Sequence, residues 1–241
     1  HIKFPVHYSN IVLHLPNRVF MTDDDLKQRK ESEATPILKN PRLPTPYYQD
    51  DYVTLYHADC REILPLLEPV DLVLTDPPYG IGIASNPVRQ KHERKSWDNA
   101  PPDCSLIELV VRAGKQAIIW GGNYFGLSPS QCFFIWDKQQ PEDFSLAMVE
   151  MAWTNIKGPA KMFRKSVLSY KKEHPTQKPV SLMSWCISKS NNPKNILDPF
   201  VGSGTTLRAA KDMGIKAIGI EREEQYCEVA ARRLRQEVLG L

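Results

Sequence analysis

Two short stretches of the chain hold residues whose types and spacing suit chemistry. They are Asp76-Pro77-Pro78-Tyr79-Gly80 and, more than a hundred residues later, Asp198-Pro199-Phe200-Val201-Gly202-Ser203-Gly204-Thr205-Thr206. In the first, Pro77 and Pro78 fix two φ angles and restrict the residue before each. The product is a stiff hook at the end of an apolar run. Asp76 offers carboxylate acceptors, the Pro77 carbonyl is a second acceptor, and Tyr79 adds a flat face. This set suits an amine carried on a planar ring. Such an amine is a poor nucleophile because its lone pair is delocalised into the ring. Two acceptors on its hydrogens draw the lone pair out and stabilise the positive charge that develops as it attacks. Taken alone, the same residues also compose an ordinary turn.

In the second stretch Gly202 and Gly204 stand between an apolar run and a helical pattern. Glycines there permit positive φ and close approach of a ligand. The helix that follows points its free N–H groups back at that ligand. There is no Gly-Lys-Ser/Thr for a triphosphate and no third glycine of a dinucleotide fingerprint. The next strand ends in Glu221, placed to accept both hydroxyls of a ribose. The alternative for Glu221 is a charge favoured by the dipole of the last helix. Asp198, Pro199 and Phe200, with Ser203 and Thr205, are placed to frame the rest of a nucleoside cofactor.

The elements that must position these turns follow from hydrophobic periodicity. Strands are expected over Tyr52–His57, Val70–Thr75, Gln116–Trp120, Asn195–Asp198 and Ile215–Glu221, and Gln131–Asp137 with Ala147–Asn155 reads as an antiparallel pair. Helices are expected over Cys60–Leu67, Asp103–Ala113 (ended by Gly114), Pro179–Ser188 with Pro179 at its first position, Gly204–Met213 and Glu223–Val238. Alternation of this kind implies an α/β fold, with a mostly parallel sheet covered by helices on both faces. Ligands then bind at the carboxyl ends of the strands. Residues 1–46, with six prolines and the run Asp23-Asp24-Asp25, show no sustained period and read as a poorly ordered arm or linker. The domain proper is expected over 47–241.

The net charge is only +3 over 241 residues, so a nucleic-acid surface must come from local clustering. Two clusters qualify. Arg89, Lys91, His92, Arg94 and Lys95 follow the hook, with Trp97 as a candidate anchor. Lys157, Lys161, Arg164 and Lys165, continuing to Lys171 and Lys172, carry Phe163 and Tyr170 among them. The alternative for each is a solvated basic face. Trp120-Gly121-Gly122-Asn123-Tyr124-Phe125 suggests close backbone approach, with Tyr124 or Phe125 as a wall for the ring. The 5 cysteines form no CxxC pair, which argues against zinc and disulfides and fits a reducing cytoplasm. No secretory leader is expected, and no apolar run approaches the ~20 residues of a membrane span.

In their types and order these motifs resemble the amino-methyltransferases of DNA, which act on adenine N6 or cytosine N4, in the permuted β-class arrangement. The resemblance covers about residues 47–241. It implies a Rossmann-like fold that uses S-adenosylmethionine and no metal, with a flipped-out base held by Asp76, Pro77, Pro78 and Tyr79. His174-Pro175-Thr176-Gln177-Lys178-Pro179 resembles the family's segment before the cofactor strand, which implies that Lys178 lines the methionine pocket. Leu55-Tyr56-His57-Ala58-Asp59-Cys60 resembles its early turn, in which Asp59, with Cys60 beside it, contacts the cofactor adenine. The family resemblance implies double-stranded DNA as partner, a bacterial or phage-encoded cytoplasmic enzyme, and admits a homodimer and a cognate restriction enzyme. Asp76, where some members carry Ser, points to adenine N6; cytosine N4 is the alternative, and an RNA or protein amide a more distant one. Only about 139–172 is available as a recognition insert.

Overall fold

A computed structural model describes residues 42–80, 101–142, 147–167, 169 and 177–236. Most of the expected arm, residues 1–41, lies outside the described residues. So do Arg89, Lys91, His92, Arg94, Lys95 and Trp97, and also Tyr170 to Thr176. The strands are β1 (Tyr48–Gln49), β2 (Val53–His57), β3 (Val70–Thr75), β4 (Gly114–Trp120), β5 (Phe133–Asp137), β6 (Val149–Thr154), β7 (Lys161–Arg164), β8 (Asn195–Asp198) and β9 (Lys216–Glu221). The helices are α1 (Cys60–Ile63), α2 (Cys104–Arg112), α3 (Val180–Ser188), α4 (Thr205–Asp212) and α5 (Glu224–Arg235).

All nine described strands join one sheet in the order β1-β2-β9-β8-β3-β4-β6-β5-β7. The run β2-β9-β8-β3-β4 is parallel throughout. Beyond β4 the direction reverses: β6 pairs antiparallel with both β4 and β5, and β7 lies parallel to β5. Side chains alternate between two cores. Leu72 and Leu74, Ile118 and Trp120 face α3, α4 and α5 through Leu182, Met183, Leu207 and Ala230. Val73, Ala117, Ile119 and Ile218 face α1 and α2 through Ile63, Leu106, Ile107 and Val110. Burial on both faces is why the central strands read as unbroken apolar runs. No helix among the described residues is long and apolar enough to cross a membrane.

Several boundaries differ from expectation for local reasons. The 60–67 helix is a single α turn followed by a 3-10 turn at Leu64–Leu66. Pro65 has no N–H to donate back to Arg61, so the α ladder stops there. Gly114 does not merely end α2: it opens β4, and a Cβ on it would lie 2.9 Å from Val73 Cγ2. Ala113 is the C-cap instead, while the Asp103 carboxylate caps the other end by accepting from Leu106 N at 2.8 Å. Pro179 is the N-cap of α3 rather than its first residue. Strand β7 was not anticipated: Lys161 and Phe163 are half-buried while Met162 and Arg164 are exposed, a period of two hidden by its charges.

Candidate active site

The chain doubles back so that both chemical turns leave neighbouring strands. Leu72 and Val73 of β3 pair with Ile196 and Leu197 of β8, in parallel. Asp76 therefore emerges beside Asp198. The two turns are also bonded: Thr75 Oγ1 donates to Asp198 Oδ1 at 2.7 Å, both residues being buried. Phe200 N donates to the same oxygen at 3.1 Å. Burial pushes the Asp198 carboxyl up to about 6, against the lowering effect of its bonds from Thr75, Thr206 and Phe200.

On the cofactor side, Glu221 at the tip of β9 holds the glycine turn. Its Oε2 accepts from Gly202 N and its Oε1 from Glu223 N, each at 2.8 Å. Burial raises its carboxyl above the ordinary range, opposed by those N–H groups. The two glycines serve different ends. A Cβ on Gly204 (φ +79°) would sit 2.9 Å from Ala230 Cβ, so that residue lets α5 pack on the start of α4. A Cβ on Gly202 (φ +52°) would meet nothing within 4 Å, so that face is open. Close packing against α5 is thus a second reason for a glycine at position 204, beside the ligand approach expected at both glycines. Arg233 from α5 donates to Ser203 Oγ, Thr205 Oγ1 and Gln177 Oε1 at 3.3, 3.1 and 3.1 Å, which fixes the loop to the segment before α3. Pro199 is buried and Phe200 half-buried. Asp59 caps α1 by accepting from Arg61 N at 2.9 Å, and Cys60 is buried behind it. Ala58 N donates to Glu221 O at 3.0 Å, so this turn adjoins the tip of β9.

On the other side of Asp76 stands a group of charges. Tyr79 OH donates to Asp76 Oδ1 at 2.6 Å, and Lys178 Nζ donates to Asp76 Oδ2 at 2.6 Å and to Tyr79 OH at 3.1 Å. Lys178 Nζ also lies 2.9 Å from Glu150 Oε2, whose other oxygen lies 2.6 Å from Lys138 Nζ. The expectation placed Lys178 along a methionine pocket; its ammonium is instead buried in the hook. Burial lifts the Asp76 carboxyl above its usual value, and the Lys178 ammonium opposes this. Burial would raise Glu150 too, but Lys178 and Lys138 outweigh it and hold that carboxyl at about 2. Glu150 and Lys138 carried no distinctive sequence signal.

Tyr79 is held on a face of its own. Gly121 (φ +69°) brings backbone against the ring, and a Cβ there would fall 2.1 Å from Tyr79 Cε1. Gly122 makes the same room for Trp153, with a virtual Cβ 2.3 Å from its Cβ. Tyr124, an exposed ring, stacks on Tyr79 with centroids 5.1 Å apart and planes 17° apart, and Phe125 approaches edge-on at 6.2 Å. Pro77 is buried and Pro78 half-buried.

The described basic candidates do not form one patch. Arg164 and Lys165 leave β7 at the same sheet edge as the hook, with Arg164 3.4 Å from Asp137 and Lys165 donating to Ser181 at 3.0 Å. Lys161 lies one turn of pleat lower, opposite Phe134. Lys157 is exposed in the β6–β7 connection, which departs where Asn155 bonds to Ala117 N and Lys115 O near the start of β4. That is the opposite end of the sheet.

Comparison with known proteins fits this geometry. A family model described as DNA methylase matches residues 119–232, which include the glycine turn and Glu221 but not the hook. The type II methyltransferase M.ScaI of Streptomyces caespitosus is 26% identical over 266 aligned positions, covering 83% of this chain and 86% of that protein. The type II methyltransferase M.HinfI of Haemophilus influenzae is 52% identical over 67 residues, a local match spanning 27% of this chain and 19% of that protein. Among solved structures, the M1.HpyAVI complex with S-adenosylmethionine is 25% identical with a TM-score of 0.54, covering 76% of this chain and 99% of that one.

Proposed function

We propose that this chain is a DNA amino-methyltransferase of the N6/N4 family, as its similarity to a DNA methylase model and to type II methyltransferases supports, and that it methylates adenine N6 in DNA from S-adenosylmethionine. The observation that carries this reading is the Thr75–Asp198 bond between β3 and β8, which sets an amine-accepting hook beside a nucleoside turn. The donor set suits the cofactor. Glu221 presents carboxylate lone pairs beyond those its backbone N–H donors use, Gly202 has open space above it, and the M1.HpyAVI structure contains S-adenosylmethionine. Glu221 and Asp59 would hold the nucleoside, and Asp198, Phe200, Ser203 and Thr205 the rest. When bound, the cofactor supplies an electrophilic methyl whose bond to sulfur breaks as its bond to the amine forms.

The chain's own groups do the remainder. The Asp76 carboxylate and the Pro77 carbonyl accept the two hydrogens of the exocyclic amine, which localises its lone pair and then bears the positive charge that develops there. Tyr79, pinned by Gly121, aligns the ring; alignment with the methyl accounts for much of the rate. A base inside a duplex is out of reach, so it is flipped out at a cost of a few kcal/mol. Stacking on Tyr79 returns about 1–3 kcal/mol of that. Asp76 at the head of the hook favours adenine, because in the family this chain resembles Asp at that position goes mostly with adenine and Ser mostly with cytosine. The test is to label DNA with a radioactive methyl donor and digest it to nucleosides. Label in N6-methyladenine is expected, label in N4-methylcytosine replaces the base, and label confined to RNA or protein rejects a DNA substrate.

A further inference from the structure

We infer that Glu150, reaching in from β6, is a positioning residue for methyl transfer: it fixes the Lys178 ammonium so that two of its hydrogens stay on Asp76 and Tyr79. The inference rests on the reading above and extends it to a residue outside both motifs. An ammonium has three hydrogens and no acceptor. Lys178 Nζ donates to Asp76 Oδ2 at 2.6 Å and to Tyr79 OH at 3.1 Å, and its third neighbour is the charge of Glu150, whose Oε2 lies 2.9 Å away as an ion pair without an aligned hydrogen bond. Two hydrogens are thus committed to the hook, and the Glu150 charge holds the ammonium in place beside them. Lys178 is 4% exposed, and a buried cation that loses one of its two counter-charges is drawn toward the other.

Glu150 is itself fixed. It lies opposite Trp136 in the β5–β6 ladder, and Lys138, 5.5 Å above the Trp136 ring, takes its second oxygen at 2.6 Å. The result is an alternating row, Lys138, Glu150, Lys178, Asp76, running from the antiparallel strands to the hook. Its balance matters for the acceptor. With Glu150 sharing the ammonium, Asp76 keeps lone pairs strong enough to take the amine's hydrogens. Without it, the ammonium collapses onto Asp76 and Tyr79 and competes with the amine.

The groups facing Asp76 are Lys178 before α3, Tyr79 on its own turn, Glu150 on β6 and Asp198 on β8. Of these, Glu150 raises the Asp76 carboxyl and Lys178 lowers it. Neutralising Glu150 therefore moves the acid limb of activity to lower pH. The experiment measures single-turnover methyl transfer to DNA across pH at saturating methyl donor and DNA, for the full chain, Glu150→Gln and Glu150→Ala. We expect a loss of about tenfold for Glu150→Gln, which keeps one acceptor, and about a hundredfold for Glu150→Ala. Dissociation constants for S-adenosylmethionine and DNA should stay within about twofold of the parent, and the acid limb of Glu150→Gln should shift down. Parent-like rates and an unshifted limb in Glu150→Gln overturn the inference while leaving the proposed activity standing. So does a loss shared equally by rate, both affinities and melting temperature, which marks a scaffold role. If Glu150→Ala does not fold, Glu150→Gln decides alone. A parent chain that labels no DNA overturns the function and this inference together.

Discussion

At the residue scale, two aspartates at neighbouring strand tips, Asp76 half-buried and Asp198 buried, take different parts in the proposed reaction. Asp76 receives donors from Tyr79 and Lys178 on its two oxygens, yet a carboxylate has about four lone-pair sites, so each oxygen can take one more hydrogen. Asp76→Ala should lower transfer by at least about a thousandfold, because on the proposed reading it removes the acceptor that acts on the reacting nitrogen, and it leaves Lys178 with Glu150 as its one counter-charge. Equilibrium dialysis with S-adenosylmethionine should show binding near that of the parent; substantial transfer by the variant would remove Asp76 from the chemistry. Asp198 makes a different prediction. Its folded value of about 6 lies above the ordinary 3.8, so its favourable contribution is complete below pH 4 and is lost as pH rises through 6. That difference amounts to about 3 kcal/mol. Asp198→Asn keeps an acceptor for Thr75 and carries no charge. Urea melts of the cofactor-free protein should show it matching the parent at pH 4 and exceeding it by up to about 3 kcal/mol at pH 8. A variant less stable than the parent at pH 8 would show that the buried charge costs nothing.

At the element scale, each glycine-bearing turn has a distinct mechanical task, and substitutions separate them. Gly121→Ala must move the Tyr79 ring and adopt an unfavourable positive φ, so it should cost more than about 1 kcal/mol and depress transfer with cofactor affinity retained. Gly202→Ala meets no protein atom within 4 Å, so its stability cost should be that of φ alone, about 1 kcal/mol, while cofactor affinity falls. Calorimetric melts paired with cofactor titrations check both, and a Gly202→Ala variant with parent affinity would take the ligand away from that face. The same mechanics explain what was legible in the chain. Strands β3 and β8 could be read to the residue because each is an apolar run closed by a polar residue at the sheet edge. Helix ends were less legible where a single residue could either stop one element or start the next, as at Gly114. Strand β7 was invisible because lysine and arginine occupy positions on either face of its pleat. Both motif turns of the site were legible, since proline and glycine leave a local signature. Glu150 was not: a glutamate alternating with apolar neighbours looks like any half-exposed strand, and its partner Lys178 reaches it from the segment before α3, a pairing no local pattern announces.

For the whole molecule, the carboxyl edge of the sheet sorts its chemistry by strand order. The tips of β2, β9 and β8 present Asp59, Glu221 and the glycine turn; β3 and β4 present the hook and its aromatic wall; β6, β5 and β7 present Glu150, Lys138, Arg164 and Lys165. A net charge of +3 is too small to draw DNA to the whole surface, so on the proposed reading affinity is concentrated where basic groups cluster, and Arg164 and Lys165 in that last third of the edge are the candidates among the described residues. Arg164 is exposed there, and its partner Asp137 is 3.4 Å from it, a weak surface pair that a phosphate can displace. Lys157 has equal charge and exposure but stands at the far end of the sheet. The two residues therefore make a matched pair. Arg164→Gln should weaken binding to every duplex by a similar factor and flatten the slope of log affinity against log salt by about one. Lys157→Gln should leave both affinity and slope as they are. Fluorescence anisotropy on a labelled duplex, from low to moderate salt, measures both quantities. Slopes equal to the parent's for both variants would mean that DNA does not cross the β7 end of this edge.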